Sequence, residues 1–242
     1  GMGGILSLTG EPDGMPMKTG VAIADLMAGM YATTGILAAL QARTHTNRGQ
    51  HIDVSLFDTQ LAWLANLGQY YLTSGRLPPR MGNAHSTIVP YQVFEVADGH
   101  VILAVGNDSQ FAKFCEFANM QAWATDPRFA TNSQRVINRA VLVPLLTELM
   151  KTKNKAEWLQ GLEPLGVPCG PINNLEEVFT HPQTIARDMV VEMAHSLSPN
   201  PQMLIGSPLK LSDTPVAYRH APPVLGQHNE QILQDWLGDQ GL

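Results

Sequence analysis

Few side chains in this sequence combine a reactive type with a setting that favours catalysis. Asp25 falls in the first turn of a predicted helix, where carboxylates commonly accept hydrogen bonds from free backbone N–H groups, so a structural role is favoured over acid catalysis. Asp53 alternates with Ile52 and Val54 along a predicted strand, which favours a position in solvent or at a turn. Cys169 has no charged neighbour in sequence that would lower its pKa, so a structural thiol is favoured over a nucleophile.

A short polar segment, Asn83-Ala84-His85-Ser86-Thr87, is a more informative candidate for a binding site. It follows a glycine and precedes the first predicted strand of a second module, close to a domain boundary that we predict near Met81. Clefts between domains are favoured ligand sites, and loops there often carry functional residues. On these grounds alone, His85 is equally consistent with a functional residue and with an ordinary surface histidine.

Recognisable metal and phosphate motifs do not occur in the sequence. There is no CxxC or HExxH spacing, so we predict no metal site. Gly1-Met2-Gly3-Gly4 lacks the preceding strand that a phosphate-binding glycine loop requires. Cys115 and Cys169 are too few for a disulfide framework, and we interpret them as reduced thiols of a cytoplasmic protein. The first residues also lack the basic region and apolar run of a signal peptide.

The composition predicts a compact globular protein with an acidic balance. Of the 242 residues, 44% are apolar and 15% are charged, which is enough apolar sequence for one large domain or two small ones. The net charge is −6, and the 15 Lys and Arg residues are scattered without a basic stripe. This argues against nucleic acid as the main partner. It also leaves open how a ligand rich in phosphate would be held.

The element that should position these residues is a long apolar helix over Val21–Ala42, rich in small residues. Such a helix is expected to be buried on more than one face, with the core formed around it. Its length would also suffice to cross a bilayer. However, Asp25 at its start and Gln41 and Arg43 at its end favour a buried helix of a protein without a membrane partner. Asn47-Arg48-Gly49 should end it, and we predict a strand at His51–Ser55.

The rest of the chain predicts an α+β module between helical segments. The Asp98-Gly99 pair should join two strands, Tyr91–Val96 and Val101–Val105, in a hairpin. Two more strands are predicted at Met189–Met193 and Gln202–Ile205. Helical periodicity is found at Leu56–Thr73, Ser109–Asn119, Ser133–Lys151, Lys155–Leu162, Leu175–Thr180 and Gln227–Leu237. Within Ser109–Asn119, the side chains expected to point inward are Phe111, Phe114, Cys115 and Ala118.

Several collinear segments together resemble the later part of the class III coenzyme A transferases. This family includes formyl-CoA:oxalate and carnitine CoA-transferases and also α-methylacyl-CoA racemase. Each segment is a weak signal alone, but together they span the chain. They are Gly1–Gly10, Asp25-x-x-Ala28-Gly29, Arg48–Leu56, Pro90-Tyr91 with Asp98-Gly99, Gly106-Asn107-Asp108-x-Gln110-Phe111, Gly166–Pro171, and Ala221-Pro222-Pro223-x-Leu225-Gly226-x-His228.

The resemblance implies an α/β fold of two parts. Residues 1–81 would be the remainder of a split Rossmann-like CoA-transferase domain, and residues 82–216 an inserted small α+β domain. Residues 217–242, with the last predicted helix, would return to the large domain. The resemblance also implies a homodimer of interlocked subunits.

The same resemblance implies the substrates, which are acyl-CoA and a carboxylic acid, and a mechanism. In the family, an aspartate attacks the acyl-CoA thioester, a mixed anhydride forms, and CoA is held as an aspartyl thioester before its transfer. That aspartate belongs just upstream of the segment matching Gly1–Gly10, so we expect no catalytic residue in this chain and no activity from it alone. The missing portion would also carry most CoA contacts, which would explain the lack of a basic cluster.

A glycine-rich loop of the small domain covers the acyl group in the family. At that position this sequence has a different run, Gly82-Asn83-Ala84-His85, which we predict to be the substrate loop. The difference leaves the acyl donor and acceptor open.

Two other functions stay open at this point. One is a racemase-type isomerase that exchanges an α-proton through paired acid and base residues. The other is a non-catalytic module that pairs with a separate chain or dimerises. We expect an exposed apolar surface where the missing part of the large domain's sheet would dock, with Val21–Ala42 partly uncovered or buried by a partner subunit. No membrane partner is predicted.

Overall fold

The computed structural model describes residues 1–195 and 197–238 of the chain. The chain forms two compact units, Gly1–Ile172 and Asn173–Leu242. The predicted domain bounds, 1–81, 82–216 and 217–242, stay a prediction. Residue 196 and residues 239–242, which fall within the last two of these ranges, lie outside the described residues.

The first unit begins with a short 3-10 helix at Ile5–Ser7 and continues with helices and a small sheet. Its strands are β1 (Tyr91–Val96), β2 (Gly99–Ala104) and β3 (Cys169–Pro171). Its helices are α1 (Ile23–Thr46), α2 (Leu56–Ala62), α3 (Ala65–Ser74), α4 (Asp108–Phe117), α5 (Gln121–Thr125), α6 (Asn132–Ile137), α7 (Arg139–Met150) and α8 (Lys155–Leu162).

The sheet of the first unit is antiparallel, in the order β1-β2-β3. The β1–β2 hairpin closes with Val96 opposite Gly99, so Ala97 and Asp98 form its two-residue loop. Gly99 has a φ of +145°, which a residue with a side chain rarely adopts. The predicted hairpin is therefore confirmed, with Asp98 in its loop and Gly99 as the first residue of β2.

The hydrophobic core lies between this sheet and helices α4, α7 and α8, and Trp158 is its largest fully buried side chain. The indole of Trp158 stacks on Phe114 with ring centroids 5.9 Å apart and donates its N–H to the Met150 carbonyl at 2.9 Å. The indole thus fills the core without leaving a buried donor unpaired. The predicted inward face of α4 is confirmed, since Phe111, Phe114, Cys115 and Ala118 are all buried.

Two helices that the periodicity predicts as continuous are each divided in two. Ser133–Lys151 is interrupted at Asn138, which ends α6 and begins α7, and whose side-chain amide donates to the carbonyls of Gln134 and Arg128. Leu56–Thr73 is interrupted between α2 and α3, where Ala65 has a left-handed φ of +46°. The prediction of single helices is wrong because neither break uses the glycine or proline that marks a helix end in sequence.

The expectation that α1 is buried with the core around it is wrong for this chain. No residue of α1 is buried, and Leu26, Met30 and Leu37 are 57%, 59% and 62% exposed. Among the other elements of the first unit, α2 packs on α1, and the core forms elsewhere. The expectation that Val21–Ala42 is partly uncovered is confirmed. By length and composition alone, α1 also meets the requirements for crossing a membrane, which is weak evidence for a single helix near the start of a chain.

The predicted strand at His51–Ser55 is also wrong. The segment makes no ladder with any strand of the described residues, and a strand requires a neighbour for its alternating N–H and C=O groups. Ile52 and Val54 are each 36% exposed. Gly35 of α1 lets this segment approach closely, because a Cβ at Gly35 would lie 3.3 Å from Cγ2 of Ile52.

The second unit contains a two-stranded antiparallel ladder and three helices among its described residues. Strands β4 (Val190–Met193) and β5 (Gln202–Ile205) pair from Val190 opposite Ile205 to Met193 opposite Gln202, as the sequence predicts. The helices are α9 (Leu175–Thr180), α10 (Pro182–Ala186) and α11 (Asn229–Leu237). Asn174 and Glu177 form a reciprocal capping box that fixes the start of α9.

Candidate functional site

The predicted substrate loop, Gly82–His85, is held at both ends by backbone hydrogen bonds within the first unit. Gly82 has a left-handed φ of +57° and donates its N–H to the Gly10 carbonyl at 3.0 Å. A Cβ at Gly82 would lie 2.9 Å from a carboxylate oxygen of Glu11. The backbone conformation favours glycine here, whereas the close approach involves the end of a flexible side chain that can move. At the other end, the His85 N–H donates to the Tyr91 carbonyl of β1 at 2.8 Å.

Arg80 fastens the substrate loop to the turn at residues 11–14. Its guanidinium donates to the carbonyl oxygens of Glu11 at 3.1 Å and Gly14 at 2.6 Å, with a longer bond of 3.4 Å to Pro12. Together with the Gly82–Gly10 bond, these contacts join two segments that lie almost 70 residues apart in sequence. The substrate loop therefore lies directly beside the segment that follows Gly1–Gly10.

The imidazole of His85 is oriented by two contacts, and it is half-buried. The ring stacks on Tyr91, with centroids 5.2 Å apart and planes inclined by 14°. Its Nδ1 accepts the Thr87 N–H at 3.2 Å. A ring nitrogen that accepts a backbone N–H carries no proton, so the neutral tautomer is protonated on Nε2. Within residues 1–195 and 197–238, no group hydrogen-bonds that Nε2, so it is free to donate to a ligand.

Arg139, at the start of α7, supports the carbonyl side of the same loop. Its Nη2 donates to the His85 oxygen at 2.6 Å and to the Ser86 oxygen at 3.0 Å. Partial burial lowers the pKa of the Arg139 guanidinium, but an arginine stays charged at neutral pH. Among the ion pairs of the described residues, none includes Arg139. No pattern in the sequence points to this residue, because 54 positions separate it from His85.

A second arginine, Arg135, fixes the segment that leaves the loop. Its guanidinium is fully buried and donates to the Val89 oxygen at 2.7 Å, to the Phe129 oxygen at 2.9 Å and to the Asp108 carboxylate at 2.8 Å. Burial lowers the pKa of Arg135, while Asp108 opposes that shift. The face of the guanidinium lies 4.4 Å from the centre of the Phe111 ring. Each of the three guanidinium nitrogens therefore bonds a group of the fold, and we assign Arg135 a structural role.

An apolar cavity with a volume of about 360 Å³ lies beside the loop. Its wall comes from α3 and from the residues on either side of the loop, namely Asn66, Leu67, Tyr70, Pro78, Pro79, Met81, Ser86 and Thr87. Cavities that are mostly apolar with a few polar groups are typical of small-molecule sites. Here the polar groups are the Asn66 amide and the hydroxyls of Tyr70, Ser86 and Thr87.

None of the predicted loop residues Gly82–His85 lines this cavity, and neither do the other candidate residues. Asp25 lies exposed in the first turn of α1, as a structural carboxylate would. Asp53 lines a separate cavity of about 340 Å³ with Asp58 and Tyr31. Burial raises the pKa of the Cys169 thiol to about 11, which is the opposite of what a nucleophile needs. No group of three potential metal ligands occurs among the described residues.

Comparison with known proteins places this architecture in one family. The model of CoA-transferase family III matches residues 1–229, and the chain therefore belongs to that family. It is 45% identical to a succinate–glutarate CoA-transferase of Agrobacterium fabrum over 97% of this chain and 58% of that protein. It is 36% identical to the human succinyl-CoA:glutarate CoA-transferase over 97% of this chain and 53% of that protein.

A solved structure has the same fold. A CaiB/BaiF family protein from Brucella suis superposes with a TM-score of 0.81 at 44% identity, over 97% of this chain and 60% of that chain. The predicted α/β fold class and the predicted family are thus confirmed. The chain spans about half the length of the curated relatives that it matches.

Proposed function

We propose that this chain is part of an enzyme that transfers coenzyme A between two carboxylic acids, with succinyl-CoA as a donor and a dicarboxylic acid of the glutarate class as acceptor. The observation that carries the proposal is the 45% identity to a succinate–glutarate CoA-transferase over 97% of the chain. The apolar cavity beside an oriented loop supports it, because such an acid has an apolar methylene chain between polar ends.

The residues around the loop have distinct roles in this proposal. The cavity beside Gly82–His85 holds the methylene chain of the acyl group, and its volume of about 360 Å³ is sufficient for a short dicarboxylic acid. His85 is not among the residues that line the cavity, but it directly precedes Ser86 of the cavity wall, and its Nε2–H donates to the distal carboxylate of that group. Arg139 positions His85 by holding the loop carbonyls at 2.6 and 3.0 Å. Its positive charge also favours an anionic ligand nearby.

The catalytic step in this proposal uses an aspartate outside these 242 residues. Its carboxylate oxygen attacks the thioester carbonyl carbon, the C–S bond breaks, and the CoA thiolate leaves with the sulfur electron pair. The resulting anhydride then reacts with the thiolate to give the aspartyl thioester and the free donor acid. Attack by the acceptor carboxylate and return of the thiolate complete the exchange. The 242 residues alone are accordingly inactive.

We also propose that the complete protein is a cytoplasmic homodimer in which further polypeptide covers α1. The support is the apolar surface of α1, where Leu26, Met30 and Leu37 are all more than half exposed. Exposed apolar patches of this kind mark contact with other polypeptide or with a membrane, and Asp25 in the first turn of α1 favours polypeptide. A non-catalytic module that pairs through α1 would show the same surface, so activity has to decide between the two.

The test compares two polypeptides, namely these 242 residues and the complete product of the gene that encodes them. Each is incubated with succinyl-CoA and glutarate, and glutaryl-CoA is measured by liquid chromatography. The proposal requires product from the complete polypeptide and none from the 242 residues. A parallel incubation with a 2-methylacyl-CoA in deuterated water tests the racemase alternative, because an isomerase would incorporate deuterium at the α-carbon. Deuterium incorporation without CoA transfer would overturn the proposal.

A further inference from the structure

The second unit contains a cavity lined by basic side chains that the loop site does not use. Its volume is about 170 Å³, and its wall includes His195, Arg219, His220 and His228 together with Pro222 and Gln227. No Asp or Glu lines this cavity within the described parts of the unit. The chain has a net charge of −6, and its Lys and Arg residues are otherwise scattered. An arginine and three histidines around one cavity are therefore unusual in this chain. The motif Ala221–His228, noted in the sequence, supplies much of the wall.

His195 supports the wall of the cavity, and neither of its ring nitrogens is free to bind a ligand. The Nδ1 of His195 accepts the Leu197 N–H at 3.2 Å, and its Nε2 lies 3.0 Å from the Pro222 carbonyl oxygen. The tautomer protonated on Nε2 satisfies both contacts. His195 therefore ties β4 and the residues after it to the Ala221-Pro222 wall, and leaves Arg219, His220 and His228 as the groups that can bind.

These three groups are close together and have unused hydrogen-bonding capacity. The rings of His220 and His228 meet edge to face, with centroids 5.8 Å apart. No hydrogen bond or ion pair of the described residues involves the side chains of Arg219, His220 or His228. Arg219 and His220 are exposed and His228 is half-buried, so a ligand can reach them from solvent.

We infer that this cavity is a binding site for a phosphate group. A guanidinium binds two phosphate oxygens at once through parallel N–H groups. Two imidazoles at an angle to each other offer N–H donors to the remaining oxygen. A carboxylate has two oxygens, both of which the guanidinium would bind, whereas a phosphate offers at least one further oxygen to the imidazoles, and this favours phosphate. The phosphate source is either free phosphate or the 3′-phosphate of CoA, and the second source rests on the proposed function.

The test is a titration of the 242-residue chain with inorganic phosphate, followed through the imidazole C–H signals of its eight histidines by NMR. The signals of His220 and His228, assigned from H220N and H228N, should shift in a saturable way, while that of the exposed His51 should not. Arg219→Gln should weaken binding at least about tenfold, since charge-assisted hydrogen bonds are lost. Arg219→Lys, which keeps the charge, should weaken it less.

Arg187→Gln is the matched control, because Arg187 is an exposed arginine of the same unit that does not line the cavity. It should leave phosphate affinity unchanged. Equal affinity of R219Q and R187Q, or shifts of all histidines alike, would overturn the inference, provided that both variants keep the parental circular dichroism. If R219Q unfolds, R219K is tested in its place. A phosphate affinity of R219K equal to that of the parent and of R187Q would again overturn the inference.

The source of the phosphate is tested by comparing CoA with 3′-dephospho-CoA in the same titration. Stronger binding of CoA, lost in R219Q, identifies the 3′-phosphate as the ligand. Equal binding of the two, with inorganic phosphate still dependent on Arg219, identifies free phosphate. Neither result depends on catalysis, so a failure here is distinguishable from a failure of the CoA-transfer assay on the complete polypeptide.

Discussion

Removal of the Arg139 guanidinium should release the substrate loop while leaving the core intact. In Arg139→Met, the carbonyls of His85 and Ser86 lose donors that now lie at 2.6 and 3.0 Å. A hydrogen bond from a charged donor contributes about 1.5–3 kcal/mol, but here one nitrogen is shared by two carbonyls that can turn to water. We therefore expect a loss of about 1–2 kcal/mol in the free energy of unfolding. For a chain of this size that lowers Tm by roughly 2–8 °C.

The decisive measurement is amide hydrogen exchange at individual residues of the loop. A loss of global stability alone would not show whether the substitution acts on the loop or on α7. The His85 amide, bonded to the Tyr91 carbonyl at 2.8 Å, should exchange with deuterium about tenfold faster in Arg139→Met, a factor that corresponds to about 1.4 kcal/mol. Arg139→Lys, which keeps one charged donor, should fall between the parent and Arg139→Met. Arg48→Met is the control, since Arg48 is exposed and far from the loop in sequence. Unchanged exchange at residues 84–87 in a folded Arg139→Met would refute the assignment of Arg139 to the loop.

Three further outcomes are expected. Gly82→Ala should destabilise the chain by about 1–2 kcal/mol, because residue 82 has a left-handed φ. Adding Glu11→Ala to that variant should not restore its stability in urea unfolding. Restored stability would mean that contact with the Glu11 carboxylate is the main cause. Burial raises the pKa of Cys115 to about 12 and that of Cys169 to about 11. The thiols of the unfolded chain ionise at a lower pH than those of the folded chain. The stability that the thiols contribute is therefore present below pH ~9 and is lost as the pH rises toward the folded pKa values. Urea titrations at several pH values should show less of this loss in the Cys→Ala variants. Leu37→Glu on α1 should reduce dye binding and self-association with little change in stability, and unchanged association would show that this face is not responsible.

The local parts of the fold follow from the sequence because local rules decide them. The apolar spacing of Phe111, Phe114 and Cys115 predicts the buried face of α4, and Asp98-Gly99 predicts the hairpin turn. The breaks at Asn138 and Ala65 are not predictable in this way, since each depends on contacts that the chain makes after folding. Asn138, for example, bonds the carbonyl of Arg128, which comes from a different turn of the chain.

The candidate site is only partly predictable for a similar reason. The position of the loop at Gly82–His85 follows from its polar residues and its neighbours in sequence. The orientation of His85 depends on Tyr91, Thr87 and Arg139 together, and no pattern in the sequence links the last of these to the loop. The exposure of α1 is unpredictable from composition, because an apolar helix indicates that something covers it but not which polypeptide does so.

Because one face of α1 is uncovered, the stability of this chain depends on the concentration of any polypeptide that packs on that face. Any polypeptide that packs on that face in the folded state, and not in the unfolded state, raises the free energy of unfolding by RT ln(1 + [L]/Kd), or about 2.7 kcal/mol at a concentration of 100 Kd. The melting temperature of the chain should therefore rise with the concentration of whatever covers α1. A thermal scan of the isolated chain therefore gives only the lowest of these melting temperatures.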